Sequence, residues 1–397
     1  MAGENQSPGQ QTQPPRISLP DDGKRAPRKP SSRRKWIQSC LWLGLSGLAS
    51  TVVSLWAGCK REEEPAVGTR VLFLEEKKRP TVAETAQINP SFEPAYLSQH
   101  RSGELKKRGE VLRNIMKSCE LCPRQCGANR LAGEKGFCQA DSQVEVSAYH
   151  PHFGEERSLV GRGGSGTIFL THCNLRCVFC SNWQISQGGC DRPRKLEELA
   201  AMMLNLQQTG CHNINLVTPT HYSPHILLAV DVAAGKGLRL PIVYNTCGWE
   251  RVEILKQLDG IVDIYLPDFK YADGERAAKY SSGAETYPEI TKAALLEMHR
   301  QVGVARPAAD GLMYRGLMIR HLVMPNGVSG TKQVIEWIAA GLPKDTYLNL
   351  MSQYRPMYKA SKYPEISRPI TRAEYHDAVT WARAAGLTNL DIQGYPI

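Results

Sequence analysis

Beyond residue 160, short and almost purely apolar runs alternate with longer segments whose apolar positions recur at helical spacing. The short runs predict strands at 167–171, 213–218, 241–246, 261–267, 317–324 and 346–351. The segments between and after them predict helices near 195–208, 223–234, 249–258, 287–302, 331–340 and 372–385. In the first helix Leu196, Leu199, Ala200, Met203 and Leu204 share one face, and Gly210 is a natural stop. Nearly continuous apolar strands that alternate with helices belong to a parallel sheet covered by helices. Six such units fall short of a closed eight-stranded barrel. Ahead of them, an amphipathic pattern predicts a helix from Leu105 to Met116, leading into a cysteine-rich stretch.

The beginning of the chain lacks this patterning. Formal net charge is +10 over 397 residues, and residues 1–35 hold eight Lys or Arg against three acids, half of the excess. This tail is rich in Gln, Pro and Ser and cannot offset its ordering entropy, so disorder is expected. Ser32-Arg33-Arg34-Lys35-Trp36-Ile37 resembles a twin-arginine export signal, and residues 36–58 form a moderately apolar run about one membrane span long. Trp56-Ala57-Gly58-Cys59 resembles a lipoprotein cleavage site, with Trp for the usual Leu, which implies lipidation at Cys59. The alternatives are an uncleaved anchor that associates the protein with the membrane, basic side in the cytoplasm, and an extension without a targeting role. Residues 59–90, with the breakers Glu62-Glu63-Glu64-Pro65 and Lys77-Lys78-Arg79-Pro80, read as a linker. The expected organisation is then a helix with a cysteine-rich extension over 91–158 and the sheet-and-helix part over 159–397. The remaining chain is only mildly basic and has no basic–aromatic stripe, so nucleic acid is not an expected partner.

The twelve cysteines cluster in short motifs, which reads as metal binding more than as a disulfide framework. Cys173, Cys177 and Cys180 follow the first strand at C-x3-C-x2-C spacing. Three thiolates can hold three irons of a [4Fe–4S] cube and leave one iron open to another ligand. The competing reading is a zinc site with Cys190 as fourth ligand. Cys119, Cys122, Cys126 and Cys138 form a second group, with Pro123, Gly127, Gly133 and Gly136 allowing a tight wrap. Four thiolates suit either tetrahedral zinc or a fully ligated auxiliary iron–sulfur centre.

In parallel β/α folds chemistry gathers at the C-terminal ends of the strands. Those ends carry Thr218-Pro219-Thr220-His221-Tyr222, Asn245-Thr246-Cys247-Gly248, Asp268-Phe269-Lys270, Arg320-His321 and Ser352-Gln353-Tyr354. Asp268 and Arg320 stand out because a charge inside a barrel strand is costly unless paired or used. A structural Asp268–Lys270 pair and ordinary hydrogen-bonded histidines at 221 and 321 are the alternatives. Residues two apart on a strand share a face, so Asp268 and Lys270 should point the same way.

Cys173-x3-Cys177-x-Phe179-Cys180 resembles the hallmark of the radical S-adenosylmethionine (SAM) superfamily. The resemblance implies an α/β fold, a partial (β/α)6 barrel with the small cysteine-rich extension in front, and a [4Fe–4S] cluster whose open iron chelates SAM. Reduction of the cluster by a low-potential donor of flavodoxin or ferredoxin type would cleave SAM to a 5′-deoxyadenosyl radical. From about residue 90 to 390 the chain is further similar to proteins related to pyruvate formate-lyase-activating enzymes, through Cys119–Cys138, Gly166–Gln187, Asn213–Tyr222, Ile242–Gly248, Asp259–Tyr271 and Ile319–Pro325. On this resemblance Phe179, Thr218, Thr220, Asn245, Asp268, Lys270, Arg320 and His321 are the expected SAM-binding residues. Activating enzymes carry Gly-Gly-Glu where this chain has Thr218-Pro219-Thr220, and Asp-Thr-Asn-Gly where it has Asn245-Thr246-Cys247-Gly248. Their Asp-x-Lys is kept as Asp268 and Lys270. The expected function is SAM cleavage for hydrogen abstraction from a protein or small-molecule substrate, with no catalytic residue assigned. A glycyl-radical-enzyme activase and a non-catalytic metal-binding or redox-sensing protein are the alternatives. SAM is cytoplasmic, which sets the export-like segment against the expected chemistry.

Overall fold

The computed structural model describes residues 92–190 and 192–394. The expectations for the tail, the segment 36–58 with its Arg33-Arg34 lead, Cys59 and the linker up to residue 90 lie outside the described residues. Two helices open the fold, α1 (Tyr96–Arg101) and α2 (Glu104–Ile115). They are followed by β1 (Val144–His152), α3 (Arg157–Val160), β2 (Ser165–Leu170), α4 (Trp183–Gly188) and β3 (Pro193–Arg194). The repeating part runs α5 (Leu196–Gln208), β4 (Ile214–Val217), α6 (Ser223–Gly235), β5 (Ile242–Thr246), α7 (Val252–Gln257) and β6 (Ile264–Pro267). It continues with α8 (Gly274–Tyr280), α9 (Tyr287–Val302), β7 (Gly316–Leu322), α10 (Thr331–Gly341), β8 (Tyr347–Met351), α11 (Arg372–Ala384) and β9 (Leu390–Ile392).

The strands form one nine-stranded sheet in the order β3-β1-β2-β4-β5-β6-β7-β8-β9. From β2 to β9 every neighbouring pair is parallel, whereas β1 runs antiparallel to β2 and β3. This is the expected α/β fold, a mostly parallel sheet of the partial-barrel kind, with the six predicted strands in place and three more at its edges. β9 escaped the apolar pattern because it is short and has Asp391 at its centre. α8 escaped it because only Ala277 and Tyr280 are buried, and its start is fixed by Asp273 accepting from Arg276 N–H at 2.9 Å.

Two buried clusters show how the strands use their faces. Tyr244, Tyr265, Ile319 and Leu350 pack outward with helix residues such as Leu199, Met203 and Leu206 of α5. Truncating one such leucine to alanine costs about 2–5 kcal/mol. On the opposite face Val243, Ile264, Leu266, Met318 and Tyr347 meet each other, closed by Leu159, Ala305 and Met313. Two residues further along four of those strands the same face carries Asn245, Asp268, Arg320 and Asn349. An apolar layer therefore lies beneath a polar one nearer the strands' C-terminal ends.

The expected division at residue 158 is not a structural break. It falls within α3, and β1 from the supposed extension is hydrogen-bonded along β2 from Val146–Leu170 to His152–Ser165. Its exposed Tyr149 and partly exposed His152 weaken the apolar pattern, which is why β1 was not anticipated. Among the described residues no helix is long and apolar enough to cross a membrane.

Candidate functional site

β2 brings the chain to the C-terminal mouth of the sheet, and Cys173, Cys177 and Cys180 follow in the next loop. His172 (φ 66°) and Arg176 (φ 54°) are left-handed there, as is Thr218 (φ 60°) just past β4. Such conformations cost of order 1–3 kcal/mol and gather at ligand-holding segments. Each sulfur has a polar neighbour. Leu175 N–H donates to Cys173 Sγ at 3.4 Å, the Ser281 hydroxyl donates to Cys177 Sγ at 3.1 Å, and Cys180 Sγ lies 3.2 Å from Ser186 Oγ. Tyr271 backs Ser281 with a hydroxyl contact of 2.8 Å. Burial raises the Cys173 thiol and pushes Cys177 up to about 12, while Lys270 pulls both the other way. All three thiols influence one another electrostatically. Three thiols of one loop, each with its own polar neighbour and each within electrostatic reach of the others, have the donor chemistry of an iron–sulfur site. Ligation would bind the thiolates and release protons. Cys190 is placed differently: its backbone N–H donates to Glu145 Oε2 at 3.2 Å.

Beside this loop the polar layer forms one connected group. Lys270 Nζ is 2.5 Å from Asp268 Oδ2, and Arg320 Nε donates to Asp268 Oδ1 at 2.9 Å. Arg320 Nη2 donates to Asn245 Oδ1 at 2.6 Å, and its Nη1 lies 3.6 Å from Glu155 Oε2. Burial opposes every charge here. Arg320 and Lys270 overcome it at Asp268, whose pKa is lowered, and Asp268 overcomes it at Lys270 and Arg320, whose pKa values are raised. Glu155 is driven the other way, up to about 7, by burial and by neighbouring Glu156, against the pull of Arg320. Gly248 lets the β5 and β6 ends close together: it is left-handed (φ 82°), and a Cβ there would stand 2.0 Å from the Asp268 carbonyl oxygen. The Tyr287 hydroxyl ties the same ends, accepting from Lys270 N–H at 2.9 Å and facing the carbonyls of Cys247 and Asp268 at 2.8 and 2.9 Å.

Asn245, Asp268, Lys270 and Arg320, all expected from the sequence, thus meet. The other expected SAM residues do not join them. His321 alternates to the helix-facing side of β7, where Nδ1–H donates to the Phe269 carbonyl at 2.6 Å and Nε2 accepts from Thr331 at 2.9 Å. Burial lowers its pKa to about 4, so it is a neutral strut. Thr220 donates to buried Glu250 at 2.5 Å, and the Thr246 hydroxyl takes the same oxygen. Phe179 packs in an aromatic group, 6.4 Å from Tyr271 and 5.9 Å from Tyr354 by ring centroids. Thr218 stands at the mouth, its N–H donating to the Asn245 carbonyl at 2.9 Å. His221 is buried with Nε2–H on the Thr171 carbonyl at 2.8 Å.

The second cysteine group lies against this region. Cys119 and Cys126 share a hydrogen bond that lowers the Cys126 thiol and raises Cys119. Burial raises Cys122 and Cys138, and each of these two also feels Cys126. Gly136 forms a cradle: a Cβ there would stand 2.4 Å from Cys126 Sγ. Among the described residues no group of three or more His, Cys, Asp or Glu side chains is arranged to hold a single metal ion. Fully buried Arg130 fastens the group to the barrel through the carbonyls of His221 (2.7 Å) and Asp141 (2.9 Å). Arg124, between Cys122 and Cys126, reaches the Asn174 carbonyl in the three-cysteine loop at 3.1 Å.

Sequence reasoning missed Ser186, Ser281, Tyr271, Glu155 and Arg124. Ser281 and Glu155 carry no motif and arrive from distant loops, whereas Ser186, in α4 six residues after Cys180, and Tyr271, next to Lys270, stood beside the motifs without any residue-type signal of their own. Arg124 had a signal, as the one cation inside the tight Cys122–Cys126 turn.

The description of the radical SAM superfamily matches residues 167–304, from β2 into the loop before β7. An uncharacterized protein of Methanocaldococcus jannaschii, MJ0674, is 34% identical over 288 residues, 70% of this chain and 78% of that protein. A second from the same organism, MJ0808, is 24% identical over 266 residues, 62% of this chain and 73% of that protein. A crystal structure of a radical SAM methyltransferase from Sphaerobacter thermophilus superposes with a TM-score of 0.40 at 15% identity, covering 56% of this chain and 66% of that one. The three-cysteine loop and the Asp268–Lys270 end of β6 both fall within the matched stretch, and the chain belongs to the radical SAM superfamily, whose chemistry rests on a [4Fe–4S] cluster and SAM.

Proposed function

We propose that Cys173, Cys177 and Cys180 hold the cluster and that the Lys270–Asp268–Arg320 group orients SAM beside it. One observation carries this reading: Lys270, fixed by Asp268, acts electrostatically on Cys173 and Cys177. An ammonium beside the thiols is suited to receive the SAM carboxylate. Asp268 can accept from the SAM ammonium or ribose while Arg320 holds its other oxygen. Arg320, tied also to Asn245, faces the carboxylate or the substrate. A reduced cluster held by Cys173, Cys177 and Cys180 would supply the electron for reductive cleavage of the SAM sulfonium bond. Buried Phe179, Tyr271 and Tyr354 wall this side of the loop and exclude water. The substrate is a protein or small molecule that gives up a hydrogen atom, and an electron donor of flavodoxin or ferredoxin type serves the cluster. Anaerobic reconstitution with SAM and dithionite should release 5′-deoxyadenosine; a fully loaded cluster that binds no SAM and releases none would refute the reading.

Activation of a glycyl-radical enzyme is a second reading, supported by the Asp268–Lys270 pair. Against it, Thr220 stands where activating enzymes have Glu, and its hydroxyl is committed to Glu250. Hydrogen loss from a glycine of a candidate partner, seen as a glycyl radical by electron paramagnetic resonance, separates the two. Cys119, Cys122, Cys126 and Cys138 are proposed to hold a further metal centre, zinc or iron–sulfur. Residues 36–58 are proposed to tether or export the protein, which fractionation of an Arg33→Lys, Arg34→Lys variant tests.

A further inference from the structure

We propose that Arg124 is a positioning residue for the three-cysteine loop, a cation delivered by the cysteine-rich extension that locks the loop and makes its cluster easier to reduce. This rests on the reading that Cys173, Cys177 and Cys180 hold the cluster.

The Arg124 guanidinium is held between two rings, 3.9 Å from the Phe137 centroid and 4.7 Å from that of Trp249. Its fork closes on two carbonyls: Nε donates to Asn174 at 3.1 Å and Nη2 to Ser281 at 3.2 Å. Both acceptors belong to the machinery around the sulfurs. Asn174 follows Cys173, its Oδ1 lies 3.7 Å from Cys247 Sγ, and its Nδ2 donates to the Trp249 carbonyl at 3.4 Å. Ser281 is the residue whose hydroxyl donates to Cys177 Sγ. One side chain therefore fixes both the loop that carries the thiols and a donor to one of them.

The charge has its own consequence. Among the described residues Arg124 forms no ion pair with a carboxylate. A half-buried guanidinium bonded only to carbonyls is costly, and an anion nearby would offset that cost. The groups that act electrostatically on Arg124 are the sulfurs of Cys122, Cys173, Cys247 and Cys177, and as thiolates on a bound cluster Cys173 and Cys177 would supply that anion. Cluster potentials follow net charge and hydrogen bonding around the sulfurs. A fixed cation on this side favours the reduced, more negative state. Because Arg124 sits within the Cys122–Cys126 turn, the conformation of that turn sets where the charge lies.

The test is a redox titration of the reconstituted protein, read on the cluster signal that SAM perturbs, with iron content measured alongside. Arg124→Gln should lower the ratio of reduced to oxidised cluster at a fixed poise about tenfold, which for one electron is about 59 mV. Arg124→Lys keeps the charge but loses the fork, so it should restore most of the potential while altering the shape of the signal. A fully loaded Arg124→Gln protein with the original potential overturns the proposal. If Arg124→Gln holds no cluster, Arg124→Lys decides: an unchanged potential with an altered signal supports the proposal, and any other result overturns it. A SAM-sensitive signal that survives in the Cys173, Cys177, Cys180→Ala triple variant would instead mean that the cluster lies elsewhere, which is failure of the underlying reading.

Discussion

The two cysteine loops are close neighbours built on opposite plans. The three-cysteine loop hangs from a central strand, and its sulfurs face outside helpers: a backbone N–H at Cys173, serines at Cys177 and Cys180, and the Lys270 charge. In the four-cysteine loop the thiols lean mainly on one another: Cys126 Sγ lies 3.9 Å from the Cys119 carbonyl and acts on Cys122 and Cys138, and a single cation, Arg130, stands 3.9 Å from Cys119 Sγ. A loop that turns its sulfurs toward a charged cleft can hold a centre and still admit a further ligand. A loop that turns them toward one another is suited to a closed centre. On the reading proposed above, position in the barrel, more than the number of cysteines, would separate a reactive site from a structural one.

The contrast breaks most visibly if the three-cysteine loop is dispensable. Replacing Cys173, Cys177 and Cys180 by Ala should reduce 5′-deoxyadenosine to the protein-free background, as chromatography of the quenched reaction would show. The same triple variant should retain zinc or iron at the other loop by elemental analysis; a metal-free protein would mean that Cys119, Cys122, Cys126 and Cys138 are not a site. Gly136→Ala in that background sharpens the point, because its methyl group would collide with Cys126 Sγ. Its metal content should fall below that of the triple variant alone.

Next comes the charged cleft. Lys270→Met removes one charge-assisted contact, so SAM affinity should fall about 10- to 100-fold. Asp268 keeps Arg320, so calorimetry should record only a small drop in melting temperature. Arg320→Met is the harsher change: Asp268 keeps only Lys270, while Asn245 Oδ1 and Glu155 lose their cation, and losing a partner of a buried pair costs about 3–5 kcal/mol. Unchanged SAM affinity with lowered stability in both variants would make the group structural.

A smaller effect concerns pH. Burial raises the folded-state pKa of Glu250 to about 7 from 4.5, against the opposing hydrogen bonds from Thr220 and Thr246. The unfolded chain therefore loses this proton first as pH rises. The contribution is fully present below pH 4.5 and is lost progressively as pH rises through 7. Glu250→Gln keeps an acceptor for both hydroxyls and removes the titration. Its melting temperature should fall less between pH 5 and 7.5 than that of the unaltered protein, and parallel curves would exclude this role.

The apolar runs of this chain determined its strands, because a run that is apolar on both faces has no stable place except inside a covered parallel sheet. Cysteine spacing likewise determined two thiol groups, since residues a few positions apart in one loop cannot be far apart in space. Asp268 and Lys270, two residues apart at a strand end, were bound to share a face. What the tertiary structure decided was partnership across long stretches of chain. His321 and Arg320 are neighbours in sequence, yet strand alternation sends one to the helices and the other to the polar layer. Thr220 looked available until Glu250, thirty residues on, took its hydroxyl. Ser281 reached Cys177 from 104 residues away, and Arg124 reached Asn174 from 50. Local pattern fixes which face a side chain prefers; only packing fixes which distant group meets it there, because that depends on how the strands and their loops close around a common mouth.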